Sequence, residues 1–307
     1  MYNYEQFFYI SLFNFGFLVI KTDIKSLVII NIIFRSYYYK MSLQPYYFRD
    51  TLECGVDEVA RGVLFGRVYA GAVIWPYDSI EPDGIVIKDS KALSARKRLI
   101  LYDYIRENAI DYNVAYVDEK EIDHTNILRS AITAMHKAIK GLKVTPEILL
   151  VDGDRFRPYF CGFGQIIPHH LFTKGDCTYT SIACASILAK VEHDKYIEEM
   201  VETYPELKIY SLEKNMGYAT KAHRVAIEEY GPSPWHRKTF SRVKEFLGTC
   251  QWLGQKYEID AWREEIQMKI DAYEGNGIGI EKFLNIGKDG EDGKDGEDGE
   301  DDEDGDL

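Results

Sequence analysis

The chain has 307 residues, 46% of them hydrophobic and 28% charged, which is enough for one large domain or two small ones around a sizeable core. Five cysteines without C-x-x-C spacing argue against a disulfide framework and a structural zinc site, and they favour a reducing, cytoplasmic compartment. The net charge of −13 argues against general coating of nucleic acid but leaves room for a local basic groove, because twelve acids and two lysines in residues 287–307 supply −10 of it.

Residues 1–40 form a hydrophobic N-terminal extension with two apolar runs, 7–20 and 27–34. Neither run reaches the roughly 18–20 residues of a spanning helix, and the first lacks the basic flank and cleavage site of a signal peptide. The commonest residue types of this extension have A/T-rich codons, so we expect Met41 to be the true start of translation. A membrane-anchored hairpin is the alternative interpretation.

Strand signals appear at five places in the middle of the chain. The β-rich stretch at 67–75 is bounded by a glycine and a proline, and the stretch at 147–154 has four apolar residues followed by an acid and a glycine. The predicted strands are residues 53–57, 67–75, 84–88, 112–118 and 147–154.

Helix signals follow the first strands and alternate with the later ones. Ser94 is a suitable N-cap for a helix that runs to residue 108, with Leu99, Tyr102 and Ile105 on its apolar face. The predicted helices after it are residues 121–140, 178–202 and 256–273. Strands that first form a meander and then alternate with helices predict a mixed α/β sheet covered by helices.

Four acidic residues lie where predicted strands end. Asp57 and Glu58 end the first strand, Asp152 ends the last, and Asp176 lies in a Lys-Gly-Asp turn before the long helix. Ligands gather at the strand ends of open α/β sheets, and converging carboxylates repel one another unless a cation lies between them. Such hard oxygen donors select Mg²⁺ or Mn²⁺ and suit two-metal phosphodiester hydrolysis. Spacing alone leaves charged surface turns as an alternative.

Six ordered motifs resemble those of the ribonuclease HII family, over residues 53 to about 245. The last two are similar to the bacterial, single-chain type of that family. The motifs are GVDEVARGVLFGRVYAGAVI (55–74), IKDSKALSARKR (87–98), LLVDGDRF (149–156), KGDCTYTSIACASILAKVEHDKY (174–196), NMGYATKAH (215–223) and YGPSPWHRKTF (230–240).

The resemblance implies a fold and a division of the chain. It implies a ribonuclease H-like mixed five-stranded sheet flanked by helices, with the catalytic domain at residues 50–245. Residues 246–286 are then a helical extension that either packs on the domain or helps to cradle a duplex. Residues 287–307 form a glycine-rich acidic tail that has almost nothing to bury and that we expect to be disordered.

The resemblance also implies the roles of the acidic residues. Asp57, Glu58, Asp152 and Asp176 match the metal-binding catalytic carboxylates, which hold two Mg²⁺ or Mn²⁺ ions with Asp57 as the bridge. Asp194 matches a further acid of the family, for which we expect a structural role in an internal salt bridge.

Substrate-binding residues are implied in the same way. Ala60-Arg61-Gly62 matches the element that recognises the ribose 2′-hydroxyl, and Tyr218 matches the tyrosine that stacks on the next deoxyribose. Lys91 and Lys174 are candidates for phosphate contacts. His236 and Arg237 have two interpretations, as structural residues or as contacts to backbone phosphate.

The function that the resemblance implies is endonucleolytic hydrolysis of the RNA strand of RNA/DNA hybrids. It includes cleavage 5′ of single ribonucleotides in duplex DNA, leaves 3′-hydroxyl and 5′-phosphate ends, and is carried out by a monomer without an obligatory protein partner. The alternatives are a non-catalytic hybrid-binding module and, if residues 1–40 are translated, a membrane-tethered nuclease.

The chain departs from the family pattern near the element that recognises the ribose. The first glycine of Gly-Arg-Gly is Ala60, the proline that usually follows is Val63, and Ala219 replaces the glycine after Tyr218. If residue 60 has a positive φ, alanine strains the loop by about 1 kcal/mol. We therefore expect hydrolysis to be retained and the preference for a single ribonucleotide to be weakened.

Overall fold

The computed structural model describes residues 7–12, 16–21, 43–77, 87–88 and 90–275. The chain divides into two compact units, Met1–Gln44 and Pro45–Leu307. In the first unit, strands β1 (Phe7–Leu12) and β2 (Gly16–Lys21) pair as an antiparallel hairpin. The predicted apolar run 27–34 and the acidic tail lie outside the described residues. Within the described ranges, no helix is both long enough and apolar enough to cross a bilayer.

The second unit is built on a mixed five-stranded sheet, as predicted. The strands are β3 (Glu53–Val59), β4 (Val68–Ile74), β5 (Asp111–Val117), β6 (Ile148–Asp152), the short hairpin β7 (Tyr159–Phe160) and β8 (Ile166–Ile167), and β9 (His169–Phe172). The strand order in the sheet is β5-β4-β3-β6-β9, with β4 antiparallel to β3 and β5, and with β6 and β9 parallel to β3. Residues 84–86 of the predicted strand 84–88 lie outside the described residues.

Helices cover both faces of this sheet. The helices are α1 (Ala95–Asn108), α2 (Glu119–His124), α3 (Ile127–Lys140), α4 (Thr180–Thr203), α5 (Leu212–Asn215), α6 (Lys221–Tyr230), α7 (Ser241–Lys244) and α8 (Glu258–Gly275). Helix α4 packs on β3 and β4, and α3 packs on β4 and β5.

Two details of the predicted helices were wrong. The apolar face of α1 consists of Leu101, Tyr102 and Ile105, whereas Leu99 is 50% exposed. The predicted helix 121–140 is two helices, because the Asn126 side chain accepts a hydrogen bond from the Arg129 N–H and begins α3 anew. Asparagine favours such N-caps because its side chain satisfies an otherwise unpaired backbone donor.

The small residues at the start of α4 let the helix lie directly on the strands that carry the acidic residues. A Cβ added at Gly55 of β3 would lie 2.1 Å from the Ser181 carbonyl carbon, and one at Gly71 of β4 would lie 2.3 Å from the Ala185 carbonyl oxygen. Only glycine permits backbones to approach so closely. The contact places the next residue of the helix, Ser186, beside the end of β3.

Helix α8 packs on the rest of the second unit, as the first of the two interpretations given above expects. Its Trp262 and Ile266 are fully buried in one apolar cluster with Tyr210 and Tyr230. The Lys269 ammonium group also donates to the Tyr230 carbonyl at 2.8 Å. Burial of two large apolar side chains is typical of a helix that is part of the fold.

Candidate active site

The four predicted carboxylates lie at one edge of the central sheet. Strands β3 and β6 are parallel with Val56 opposite Val151, so Asp57 and Asp152 follow side by side at the same end. Glu58 is the next residue of β3, and Asp176 lies in a short 3-10 helix that follows β9. The Gly175 N–H donates to Asp152 Oδ1 at 2.6 Å and joins this turn to β6.

The edge is electrostatically unfavourable without a positive charge. Asp57 is only 5% exposed, and burial, with repulsion from Glu58 and Asp152, raises the pKa of its carboxyl well above the ordinary range. Burial also raises the pKa of Asp152 to about 6, although the hydrogen bond from Gly175 opposes the shift. Buried carboxylates that repel one another favour a proton or a cation between them.

Each of three carboxylates has a protein partner that holds it. Asp57 accepts a hydrogen bond from Ser186 of α4, whose hydroxyl lies 3.0 Å from that of Ser90. Glu58 pairs with Arg61 at 3.2 Å, and Asp152 accepts from Gly175 as described. The sequence prediction did not include the two serines, although both stand inside quoted motifs.

The donor set fits a hard divalent cation. In the part of the chain that the structure describes, no three His, Cys, Asp or Glu side chains are already gathered as a metal cage. Carboxylate oxygens without nitrogen or sulfur ligands suit Mg²⁺ or Mn²⁺ rather than zinc.

A shallow cleft with about 250 Å³ of open space runs beside the acidic edge. Glu58 and Asp152 line it together with Arg61, and the exposed Asp154 and Arg155 lie at its rim. Helix α3 supplies its apolar wall. Arg155 adds a basic group near the carboxylates that sequence reasoning missed, although it stands in the motif LLVDGDRF.

The loop between β3 and β4 carries the Ala60-Arg61-Gly62 element. Arg61 and Gly62 are exposed, whereas Ala60 is 4% exposed and has a φ of +70°. The condition for strain at this position is therefore met. The Leu64 N–H donates to the Gly217 carbonyl at 2.9 Å, so the loop is joined to the residue just before the 39% exposed Tyr218.

The predicted lysines and Asp194 lie around this centre. Lys91 and Lys174 are exposed. Lys91 lies within the short 3-10 helix Ser90–Ala92, and Lys174 directly precedes the 3-10 helix Gly175–Cys177. Asp194 pairs with Arg98 at 3.0 Å and with Lys190 at 2.8 Å, which confirms the expected internal salt bridge.

The interpretation of His236 and Arg237 as contacts to backbone phosphate was wrong. Both residues are 0% exposed, and their side chains form hydrogen bonds with other residues of the protein. The positive charge of Arg237 is directed at backbone carbonyls of the loop described above. No spacing rule relates these positions, which lie more than 170 residues apart.

Comparison with known proteins agrees with this fold. The sequence model of the family described as Ribonuclease HII matches residues 54–244. The Ribonuclease HII of Christiangramia forsetii is 47% identical over 193 residues, covering 63% of this chain and 92% of that protein. That of Parabacteroides distasonis is 47% identical over 205 residues, covering 67% and 98%.

Among solved structures, the ribonuclease H2 of Pyrococcus horikoshii is similar, with a TM-score of 0.53 and 26% sequence identity. The match covers 64% of this chain and 97% of that one. The family model spans more than half of the chain, and it includes all four carboxylates of the sheet edge. The chain belongs to the ribonuclease HII family.

Proposed function

We propose that this chain hydrolyses the phosphodiester bond on the 5′ side of a ribonucleotide, both in RNA/DNA hybrids and at single ribonucleotides in duplex DNA. The products are a 3′-hydroxyl and a 5′-phosphate. The observation that carries this function is the convergence of Asp57, Glu58, Asp152 and Asp176 beside the exposed Arg61-Gly62 loop. Membership of the ribonuclease HII family supports the RNA strand of a hybrid as the substrate.

The four carboxylates would hold two divalent cations, Mg²⁺ or Mn²⁺. Bound there, the ions supply an activated water and stabilise the leaving oxygen. The protein prepares the ligands, since Ser186 orients Asp57 and the Gly175 N–H orients Asp152. Burial of Asp57 keeps bulk water away from the centre and strengthens its interaction with a cation.

Recognition of the ribose falls to the loop and to Tyr218. Arg61 and Gly62 are exposed beside the cleft, where their backbone would contact a 2′-hydroxyl, the group that distinguishes RNA from DNA. Tyr218 presents an exposed ring for stacking on the adjacent sugar. Lys91 and Lys174 would contact phosphates and fix the register of the duplex without reading its sequence.

The chain acts as a monomer without an obligatory protein partner in this proposal. All four carboxylates and both parts of the recognition site come from residues 57–218 of one chain. No second subunit is needed to complete the site.

The test is strand cleavage on two labelled duplexes, one with a single embedded ribonucleotide and one a continuous RNA/DNA hybrid. Each is incubated with Mg²⁺ and with Mn²⁺, and binding of both is measured separately in EDTA. We expect both to be cut, the first at the 5′ side of the ribonucleotide. Binding of both duplexes in EDTA with no cleavage in either metal would identify a hybrid-binding module instead.

A further inference from the structure

A single buried arginine holds the loop that carries the ribose-recognition element. The Arg237 guanidinium donates to the carbonyls of Arg61 at 2.7 Å, Ala60 at 2.8 Å, Gly66 at 2.9 Å and Arg67 at 3.0 Å. Arginine is suited to this because its planar fork presents several donors in fixed directions. Burial lowers the pKa of Arg237 to about 9, which leaves the group charged at neutral pH.

The loop needs such support because Ala60 has a backbone conformation that alanine disfavours. Its φ of +70° persists only where surrounding contacts determine the backbone. Two backbone hydrogen bonds add to the side-chain bonds of Arg237. The Arg237 N–H donates to the Leu64 carbonyl, and the Gly66 N–H donates to the Trp235 carbonyl, each at 2.9 Å.

A chain of hydrogen bonds from the same segment ends at the backbone of Tyr218. The Ser233 N–H donates to His236 Nδ1 at 2.9 Å, and the Nε2 atoms of His236 and His223 are 2.9 Å apart. His223 Nδ1 lies 2.9 Å from the Tyr218 carbonyl oxygen. Both histidines are fully buried.

The donor and the acceptor of each hydrogen bond in this series are determined by the two backbone groups at its ends. Because His236 Nδ1 accepts from a backbone N–H, its proton is on Nε2, which donates to Nε2 of His223. His223 then carries its proton on Nδ1 and donates to the Tyr218 carbonyl. Burial lowers the pKa of His223 to about 4, so the neutral form that this pattern requires is present at neutral pH.

We propose, resting on the function proposed above, that Ser233–Arg237 is a positioning segment for ribonucleotide recognition. Arg237 sets the Ala60-Arg61-Gly62 loop, and His236, acting through His223, sets Tyr218. The two halves of the recognition site lie more than 150 residues apart in the chain, and this one segment bonds to both. These are positioning residues, because their buried side chains act through other residues.

The segment controls substrate choice more than hydrolysis. Asp57 and Asp152 are held by strand ends and by Ser186 and the Gly175 N–H, none of which bonds to the positioning segment in the contacts described above. Only Glu58 is linked to the segment in those contacts, through Arg61, whose carbonyl accepts from Arg237. A single embedded ribonucleotide offers one 2′-hydroxyl in one register, so it depends on correct placement of the loop and Tyr218. A continuous hybrid offers a 2′-hydroxyl at every step and tolerates a misplaced loop.

The test compares kcat/KM on the two duplexes for variants of the full chain. His223→Leu removes the bond to Tyr218, whereas His223→Asn keeps an N–H donor close to the position of Nδ1. Arg237→Lys keeps the charge but loses the fork. Ile139→Ala is the matched control for general destabilisation. Ile139 is buried on helix α3 and makes none of the contacts described for the positioning segment.

We expect the embedded-ribonucleotide to hybrid ratio of kcat/KM to fall by about tenfold or more in His223→Leu and Arg237→Lys, since small misplacements of this kind cost up to about 10²-fold. His223→Asn should restore the ratio to within about threefold of wild type, and Ile139→Ala should leave it unchanged. Thermal melts establish that each variant folds. If Arg237→Lys does not fold, the two His223 variants decide the matter alone.

Three results would overturn the positioning role: an unchanged ratio in His223→Leu, an equal fall in Ile139→Ala, or no recovery in His223→Asn. Wild-type protein that cuts neither duplex would instead overturn the proposed function. Wild-type protein that cuts only the continuous hybrid would overturn junction recognition and the positioning role with it, while leaving hydrolysis in place.

Discussion

The acidic sheet edge and the loop proposed to recognise the ribose are neighbours, but they are stabilised in different ways. The edge takes its carboxylates from regular strand ends, and burial raises the pKa values of Asp57 and Asp152 because their charges are uncompensated. The loop, residues 60–67, contains a strained alanine but is fixed by the hydrogen bonds of Arg237. The repulsion between carboxylates at the edge would therefore be relieved by a bound cation. The backbone strain of the loop is instead offset by hydrogen bonds within the protein.

This difference predicts which property of the enzyme, activity or substrate choice, each region controls. Removing a charge from the edge should abolish activity and stabilise the metal-free fold. Removing a support from the loop should destabilise the fold and alter substrate choice. The two regions thus predict opposite signs for the effect of substitution on stability.

The largest expected effect is that of Asp57→Asn on cleavage. Loss of this carboxylate should lower kcat by about 10³-fold or more in Mg²⁺, since Asp57 is one of the four residues that would hold the ions in the proposed function. In EDTA the same variant should melt at a higher temperature than wild type, because a buried, repelled charge is gone. Asp154→Asn, an exposed acid of the same cleft, should stay within about threefold of wild type. Equal losses in both variants would refute the assignment.

Arg237→Met should destabilise the loop and leave the acidic edge intact. Four carbonyls lose their donor in a buried site, so we expect the free energy of unfolding to fall by about 3–5 kcal/mol. Urea unfolding measures this change. The exposed Arg242→Met is the matched control and should lie within about 0.5 kcal/mol of wild type. A loss no larger than that of the control would show that the loop supports itself.

The acidic edge should make stability pH-dependent in a defined direction. The pKa of Asp152 is raised from 3.8 to about 6 in the folded state, so its favourable contribution is present below pH 4 and is lost as pH rises through 6. Relative to wild type in EDTA, Asp152→Asn should therefore gain about 1–2 kcal/mol between pH 5 and pH 7.5. Saturating Mg²⁺ should remove the gain. A stability difference that is constant with pH would mean that the pKa of Asp152 is not raised in the folded state.

Ala60→Gly should give the smallest change in stability. It should stabilise the protein, whereas most substitutions to glycine are destabilising. Relief of a positive φ outweighs the greater backbone entropy of glycine, so we expect a gain of about 0.5–1 kcal/mol in unfolding free energy. Ala222→Gly in helix α6 is the control and should lose about 0.5–1 kcal/mol. If both variants lose stability alike, the loop is not strained at residue 60.

Much of the edge could be predicted from the sequence. Strand periodicity placed Asp57 and Asp152 at strand ends, and parallel strands bring such ends together. Spacing alone did not distinguish this from charged turns, and the resemblance to a family supplied the metal-binding roles. The strain at Ala60 could be stated only as a condition, because a residue's φ depends on the loop around it.

The contacts that fix the loop could not be predicted from sequence. Arg237 bonds to carbonyls that lie 170 to 177 positions earlier, and no local pattern indicates such a pairing. Helix α1 shows the same limit on a smaller scale, since Leu99 and Leu101 are both apolar and only packing against α4 decides which is buried. Long-range packing decides among options that local periodicity leaves equivalent.

The most direct test of the central claim is the chemistry of the ends produced at a single embedded ribonucleotide. We predict one cut, with a 3′-hydroxyl on the upstream fragment and a 5′-phosphate on the ribonucleotide, in Mg²⁺ or Mn²⁺ and not in excess EDTA. Hydrolysis by water gives these ends, and this is the chemistry that ions held by the four carboxylates would supply. A 2′,3′-cyclic phosphate, or cleavage that continues in EDTA, would mean that the ribose hydroxyl itself attacks and would contradict the role given to the four carboxylates.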